Sequence, residues 1–256
     1  FYLCVSPALQ AQHSTVKARV PLATMGQENG LNDKNAQNSS DKAGTESGLA
    51  RIEFSGSNPF QLFREWHGEA REVNLVSPDA LCFSTCSKDG VPSSRHMLLR
   101  RLDDDGFVLM TDGRSRKSNE IAENPLGSLA FLWSFRKDGS IINRQVRIDG
   151  RVEDLPQSSC QEIWEREPLY CKIRANICDQ GRPVDWEDHK RIHDSWYEEC
   201  LRKNTVPTIP DHVVYYKVIP TFMEFYLAHD NFIGDRLAFH CTDKDAKVWK
   251  MGRIAA

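Results

Sequence analysis

The chain has 256 residues, 40% of them hydrophobic, and a formal charge of -3, enough to bury one substantial core within the single-domain size range. No apolar run approaches the ~20 residues that a membrane-spanning helix needs, which excludes a transmembrane reading. The near-balanced charge lacks the basic excess that would hold nucleic acid by bulk electrostatics, so any anion site must be local.

Residues 1 to 50 are rich in Ser, Asn, Gly, Gln and Lys and show little periodicity, which predicts a disordered tail before a folded domain over 51 to 256. The first 27 residues contain no Asp or Glu and include Lys17 and Arg19, which leaves a mitochondrial address open beside a cytoplasmic one. The chain begins at Phe1, and Met25 is a further candidate start. Order is expected from Asn58-Pro59, an N-cap and a proline at the first helical position, leading into Phe60, Phe63, His67 and Ala70 at helical spacing.

From Ala80 the pattern turns to short strands at 80–86, 93–102 after the Asp89-Gly90 turn, and 107–111 after the acidic turn 103–106. Ser115 is positioned to cap a short helix ending near Asn124-Pro125, and 128–135 and 141–152 read as strands around a polar turn at 136–140. Helical patterns follow at 157–167 and 187–203, then strands at 213–219, 222–228, 235–240 and 246–251. The fold class predicted is α+β, mainly antiparallel β, with peripheral helices around a barrel.

The eight cysteines, Cys4, Cys82, Cys86, Cys160, Cys171, Cys178, Cys200 and Cys241, form no Cys-x-x-Cys pair, so zinc-ribbon and thioredoxin spacings are missing and a reducing compartment is expected. His189 and His193 share a helical face but lack the glutamate of a metalloprotease signature, and are read as part of a solvated helix, with no metal expected.

The densest basic constellation is Arg95, Arg100, Arg101, Arg114, Arg116 and Lys117. Arg116 and Lys117 fall in the first turn of a helix, where free N–H groups and the positive dipole end favour an anion. Two readings stay open on this pattern alone: a phosphate site, or exposed charges on strand edges.

The order of segments goes further. Pro92-Ser93-Ser94-Arg95-His96-Met97-Leu98-Leu99-Arg100, Gly106-Phe107, Met110-Thr111, Ser115-Arg116-Lys117, Asn124-Pro125 and Asn143-Arg144-Gln145-Val146-Arg147-Ile148-Asp149-Gly150 resemble the pyridoxamine 5′-phosphate oxidase family. The likeness continues through Leu155-Pro156, Pro220, Met223-Glu224-Phe225, Asp235-Arg236, Trp249 and Arg253, over about residues 58 to 256, with a longer turn between Trp133 and Asn143.

This resemblance implies a split β-barrel homodimer that holds FMN between subunits, with flavin contacts at Arg95, Met97, Leu98, Met110, Thr111, Arg116, Lys117, Gln145, Gln180 and Arg236. Tyr226 stands where the family has a tryptophan beside the flavin. The activity implied is oxidation of pyridoxamine or pyridoxine 5′-phosphate to pyridoxal 5′-phosphate, in vitamin B6 metabolism, with O2 consumed and H2O2 released. The substrate-binding positions depart from the pattern. Where the family holds the substrate phosphate with lysine, tyrosine, arginine and serine, this chain has Arg100, Ile163, Glu167 and Cys171. Its Phe232 and Gly234 replace an active-site arginine and histidine, and Arg166 and Tyr170 are neighbours that offer a guanidinium and a phenol instead.

Three functions are therefore compatible with the sequence: an oxidase with impaired or altered use of the family substrate, an FMN oxidoreductase with another substrate, and a non-catalytic FMN-binding dimer.

Overall fold

The computed structural model describes residues 48–243 and 247–256. The expected tail, with Met25 and its targeting pattern, lies outside them except for its last three residues, where Leu49 bridges Ile233. Helix α1 (Pro59–Glu72) starts where Asn58-Pro59 predicts, the Asn58 side chain accepting from Phe60 N at 3.0 Å. Its apolar stripe, including Phe60, Leu62, Phe63 and Ala70, is buried. The Phe63 ring centroid lies 4.9 Å from that of Phe107 and 5.0 Å from that of Phe131, so truncating this fully buried side chain is expected to cost roughly 3–5 kcal/mol.

All strand pairs among the nine described strands are antiparallel. They are β1 (Ala80–Cys86), β2 (Pro92–Leu98), β3 (Arg101–Leu102), β4 (Phe107–Asp112), β5 (Leu126–Lys137), β6 (Ser140–Leu155), β7 (Val213–His229), β8 (Asp235–Asp243) and β9 (Val248–Ile254). The order is β2-β1-β5-β6-β7-β4-β3, with β8 branching from β7 and β9 from β8. Strand β7 runs the whole length of β6 on one side. On its other side β4 takes residues 213–218 and β8 takes 222–227. The sheet is therefore a split, unclosed barrel with peripheral helices. No helix among the described residues is long and apolar enough to cross a membrane.

Four elements differ from the sequence expectation. The strand expected over 93–102 breaks at Leu99-Arg100, because Leu99 N donates to Asp79 O at 2.8 Å while Arg100 N donates to Val108 O at 2.9 Å. The chain crosses there from β1 to β4. The strands expected at 213–219 and 222–228 are one strand, since Pro220 sits at a register shift opposite Gly150, where a missing N–H is tolerated. A Cβ on Gly150 would lie 2.2 Å from Ile219 O, so this crossing requires glycine. The long turn after Trp133 is instead extra strand on both sides of a tight Asp138-Gly139 turn, with φ of 52° and 85°. Lastly, the helix expected over 157–167 resolves into a 3-10 turn and α3 (Gln161–Arg166); Pro168 then starts α4 (Leu169–Ile177), which was not predicted, before α5 (Trp186–Lys203).

Candidate functional site

A cavity of about 610 Å³ opens between β2, β4, the start of α2 (Arg116–Glu123), and α4. This size lies in the ordinary range for small-molecule sites. Of the residues expected to bind cofactor or substrate, it gathers Met97, Leu98, Arg100, Met110, Thr111, Lys117, Cys171 and Gln180. His96, Asp112, Arg174, Ala175, Cys178, His212 and Val213 complete the lining. Sequence reading did not single these out as site residues; three of them, Arg174, Ala175 and Cys178, lie on or just after α4, which was not foreseen.

The structure sorts the six basic residues by partner. Arg101 turns away to Asp103 and Glu162, each at 2.6 Å, and Arg114 turns back to Asp112 at 2.7 Å. Arg95 and Arg116 both reach Glu120, at 3.4 and 2.7 Å. Burial pushes the Glu120 carboxyl up, but hydrogen bonds from Ser93, Thr85 and Arg116 outweigh it and hold the group at about 2.

Lys117 is different. Its ammonium is buried, lines the cavity, and donates to the hydroxyls of Thr111 at 2.9 Å and Ser115 at 3.0 Å, with no carboxylate within salt-bridge distance among the described residues. Desolvation, then the charge of Arg95, lowers its pKa to about 8. A buried cation without a counter-ion beside the N-terminus of a helix is the arrangement that an anionic group would complete.

The opposite end is built around Arg100. Its Nη1 lies 2.8 Å from Glu167 Oε1 and its Nη2 3.2 Å from Oε2. Ile163 faces the core with Val108, Cys160, Trp164, Val213 and Tyr215 and does not line the cavity. Tyr215 is fully buried, its hydroxyl has no hydrogen-bond partner among the described residues, and burial followed by Cys160 and Glu167 pushes its pKa up. Arg166 is exposed and donates to Glu162 O, Tyr170 is exposed, and neither lines the cavity. His189, singled out with His193, approaches Cys178 Sγ at 3.4 Å.

A second cluster lies further along the same sheet. Gln145 pairs with Tyr226, which pairs with Arg236, and the Arg236 guanidinium lies 5.2 Å from the Tyr226 ring centre. A Cβ on Gly234 would stand 2.5 Å from Tyr226, so Gly234 makes room for that ring. Glu224 is buried here, with Arg147 and Arg236 at 3.5 and 3.7 Å, yet Glu224 Oε1 and Arg236 Nε lack hydrogen-bond partners among the described residues. Phe232 is packed against His229 and held by the 48–50 segment, through Ala50 N to Ile233 O and Ile233 N to Gly48 O, both 2.8 Å. Tyr226 is eleven residues beyond Tyr215, which pairs with Met110 of the cavity, so roughly 35 Å of β7 separates those two positions.

Comparison with known proteins agrees with this architecture. A family model described as pyridoxamine 5′-phosphate oxidase matches residues 67–193. A pyridoxine/pyridoxamine 5′-phosphate oxidase of Salinibacter ruber is 36% identical over 211 residues, covering 80% of this chain and 94% of that one. A namesake from Colwellia psychrerythraea is 31% identical, covering 76% and 85%. Among solved structures, PhzG from Burkholderia lata 383, in complex with tetrahydrophenazine-1-carboxylic acid, matches with a TM-score of 0.69 and 25% identity over 82% of this chain and 100% of its own. A pyridoxamine 5′-phosphate oxidase-related, FMN-binding protein from Nostoc punctiforme shares the fold, with a TM-score of 0.59 at 16% identity over 76% of this chain and 97% of that one.

Proposed function

The chain belongs to the pyridoxamine 5′-phosphate oxidase family, and from that premise we propose that it is an FMN-dependent oxidase whose site is completed by a second copy of itself. The observation that carries this reading is Lys117, a buried ammonium in the cavity wall without a carboxylate. The cofactor phosphate is its natural counter-ion, with Thr111 bonded to the ammonium, Arg116 adjacent in the first turn of α2 and Arg95 near enough to depress the lysine's pKa, while Met97, Leu98 and Met110 offer an apolar wall to a flat ring.

When bound, FMN supplies a two-electron acceptor that O2 can regenerate with release of H2O2. An alcohol substrate then loses two electrons and two protons to become an aldehyde; an amine becomes an imine that water hydrolyses to aldehyde and ammonia. The chain's own contribution is to hold the reacting carbon against the ring and keep bulk water out.

The second copy is supported by the Gln145, Tyr226 and Arg236 cluster. Arg236 Nε there is buried without a hydrogen-bond partner among the described residues, a polar group that calls for a functional explanation. An isologous pairing would carry it to the partner's cavity, which it cannot reach along its own strand. Substrate use is altered from the family's, because Glu167 occupies Arg100 and Ile163 faces the core. Purification, an absorbance spectrum and oxygen consumption with pyridoxamine 5′-phosphate test the proposal. A yellow protein with slow turnover is expected, and a colourless one that ignores added FMN would overturn it.

A further inference from the structure

Lys117 and Arg100 both line the cavity, and they are in opposite states. At the α2 end, the partners of Lys117 among the described residues are the hydroxyls of Thr111 and Ser115. At the α4 end, the guanidinium of Arg100 is matched oxygen for nitrogen by Glu167, whose side chain is 4% exposed. Glu167 also stands immediately before Pro168, the N-cap of α4, so its charge is offered to the positive end of that helix as well.

A phosphate dianion brought to Arg100 must either share the guanidinium with Glu167 or displace it. Sharing puts like charges side by side in a poorly hydrated place. Displacement breaks a buried, two-point ion pair, which is costly in itself. Of the described lining residues from α4 and around the start of β7, Arg174 is exposed to water, where an ion pair contributes little, and His212 Nε2 is already 2.8 Å from Ala175 O. Arg100 lines the cavity and Glu167 does not, so the guanidinium meets a ligand with its charge already balanced and can still donate to an uncharged group. The wall beside them, including Met97, Leu98, Cys171 and Val213, is apolar.

We propose that the substrate of this site carries no phosphate: a small heteroaromatic amine or alcohol, with Glu167 acting as the built-in anion that excludes phosphorylated forms. The proposal rests on the reading of the cavity as a site of FMN-dependent oxidation.

The test compares pyridoxine with pyridoxine 5′-phosphate on the full chain. FMN content is first measured by absorbance, which checks the cofactor reading separately. Equilibrium binding of each compound is then followed by tryptophan fluorescence, with inorganic phosphate as competitor. In the wild type, pyridoxine is expected to bind at least as tightly as its phosphate ester, and inorganic phosphate should not compete with it. In Glu167→Gln, the ester should gain at least about tenfold over the alcohol, and inorganic phosphate should begin to compete. The wild-type ratio decides alone if the variant fails to fold. A wild type that prefers the ester by tenfold or more, or that binds neither compound, would overturn the proposal, while a flavin-free protein that keeps the expected ratio would count against the cofactor reading only.

Discussion

Arg116 Nε donates to Glu120 Oε1 at 2.7 Å across one turn of α2. Glu120 also accepts from Thr85 and Ser93, and Arg95 approaches its other oxygen. One buried carboxylate therefore holds two arginines from different elements. Glu120→Ala is expected to destabilise the protein by roughly 3 kcal/mol, because it leaves Arg95 partly buried without its counter-ion. It should weaken FMN binding as well, with Arg95 and Arg116 no longer held. Urea denaturation and flavin titration of the variant check both effects.

The same carboxylate makes the protein acid-sensitive. Its folded pKa, about 2, lies below the ordinary glutamate value of 4.5, so the folded state binds fewer protons between those values. Its stabilisation is full above about pH 4.5 and is lost as pH falls toward 2. The acid limb of a stability curve should be shallower in Glu120→Gln than in the wild type.

Lys117 gives the opposite sign. Its folded pKa of about 8 lies below 10.5, so its buried charge costs stability below pH 8, and that cost is relieved as pH rises toward 10.5. Anion binding requires the ammonium form. FMN affinity should therefore fall by up to about tenfold per pH unit above pH 8, with proton uptake on binding. Flavin fluorescence quenching across this range tests it, and Lys117→Met should flatten the slope.

Removing both cations of the first turn of α2, as Arg116→Ala with Lys117→Ala, should cost roughly 3–6 kcal/mol of FMN binding if both touch the phosphate. The result is read as loss of the yellow colour after gel filtration. Retention of stoichiometric flavin would place the phosphate elsewhere.

Sedimentation is expected to give a homodimer that FMN stabilises by mass action. Tyr226→Ala or Arg236→Ala should loosen FMN although neither residue lines the cavity of its own chain. A flavin-loaded monomer would remove the basis for a shared site.

Gly150→Ala should destabilise the fold by roughly 2–4 kcal/mol, since the new Cβ would meet the Ile219 carbonyl at 2.2 Å, a backbone atom that cannot swing aside. A chemical denaturation midpoint well below the wild type's is the expected reading.

The sequence by itself determined the elements whose signals are local. Asn58-Pro59 starts α1, turn signals mark off β2 and β4, and the order of short segments from Pro92 to Arg236 identifies the family. It also marked the basic residues worth following. What it left undecided was each one's partner: Arg100 meets Glu167 sixty-seven residues later, and Arg95 meets Glu120 twenty-five residues later. Helix α4 was missed because nine residues carry too few turns for periodicity to show. The Pro220 bulge was missed because proline reads as a strand break until a partner strand supplies Gly150 opposite it. Charge on a side chain is fixed by its type, but whether that charge is free to bind a ligand depends on which group folding brings within hydrogen-bond distance. Only the tertiary structure decided that Lys117 has no carboxylate partner among the described residues and that Arg100 does.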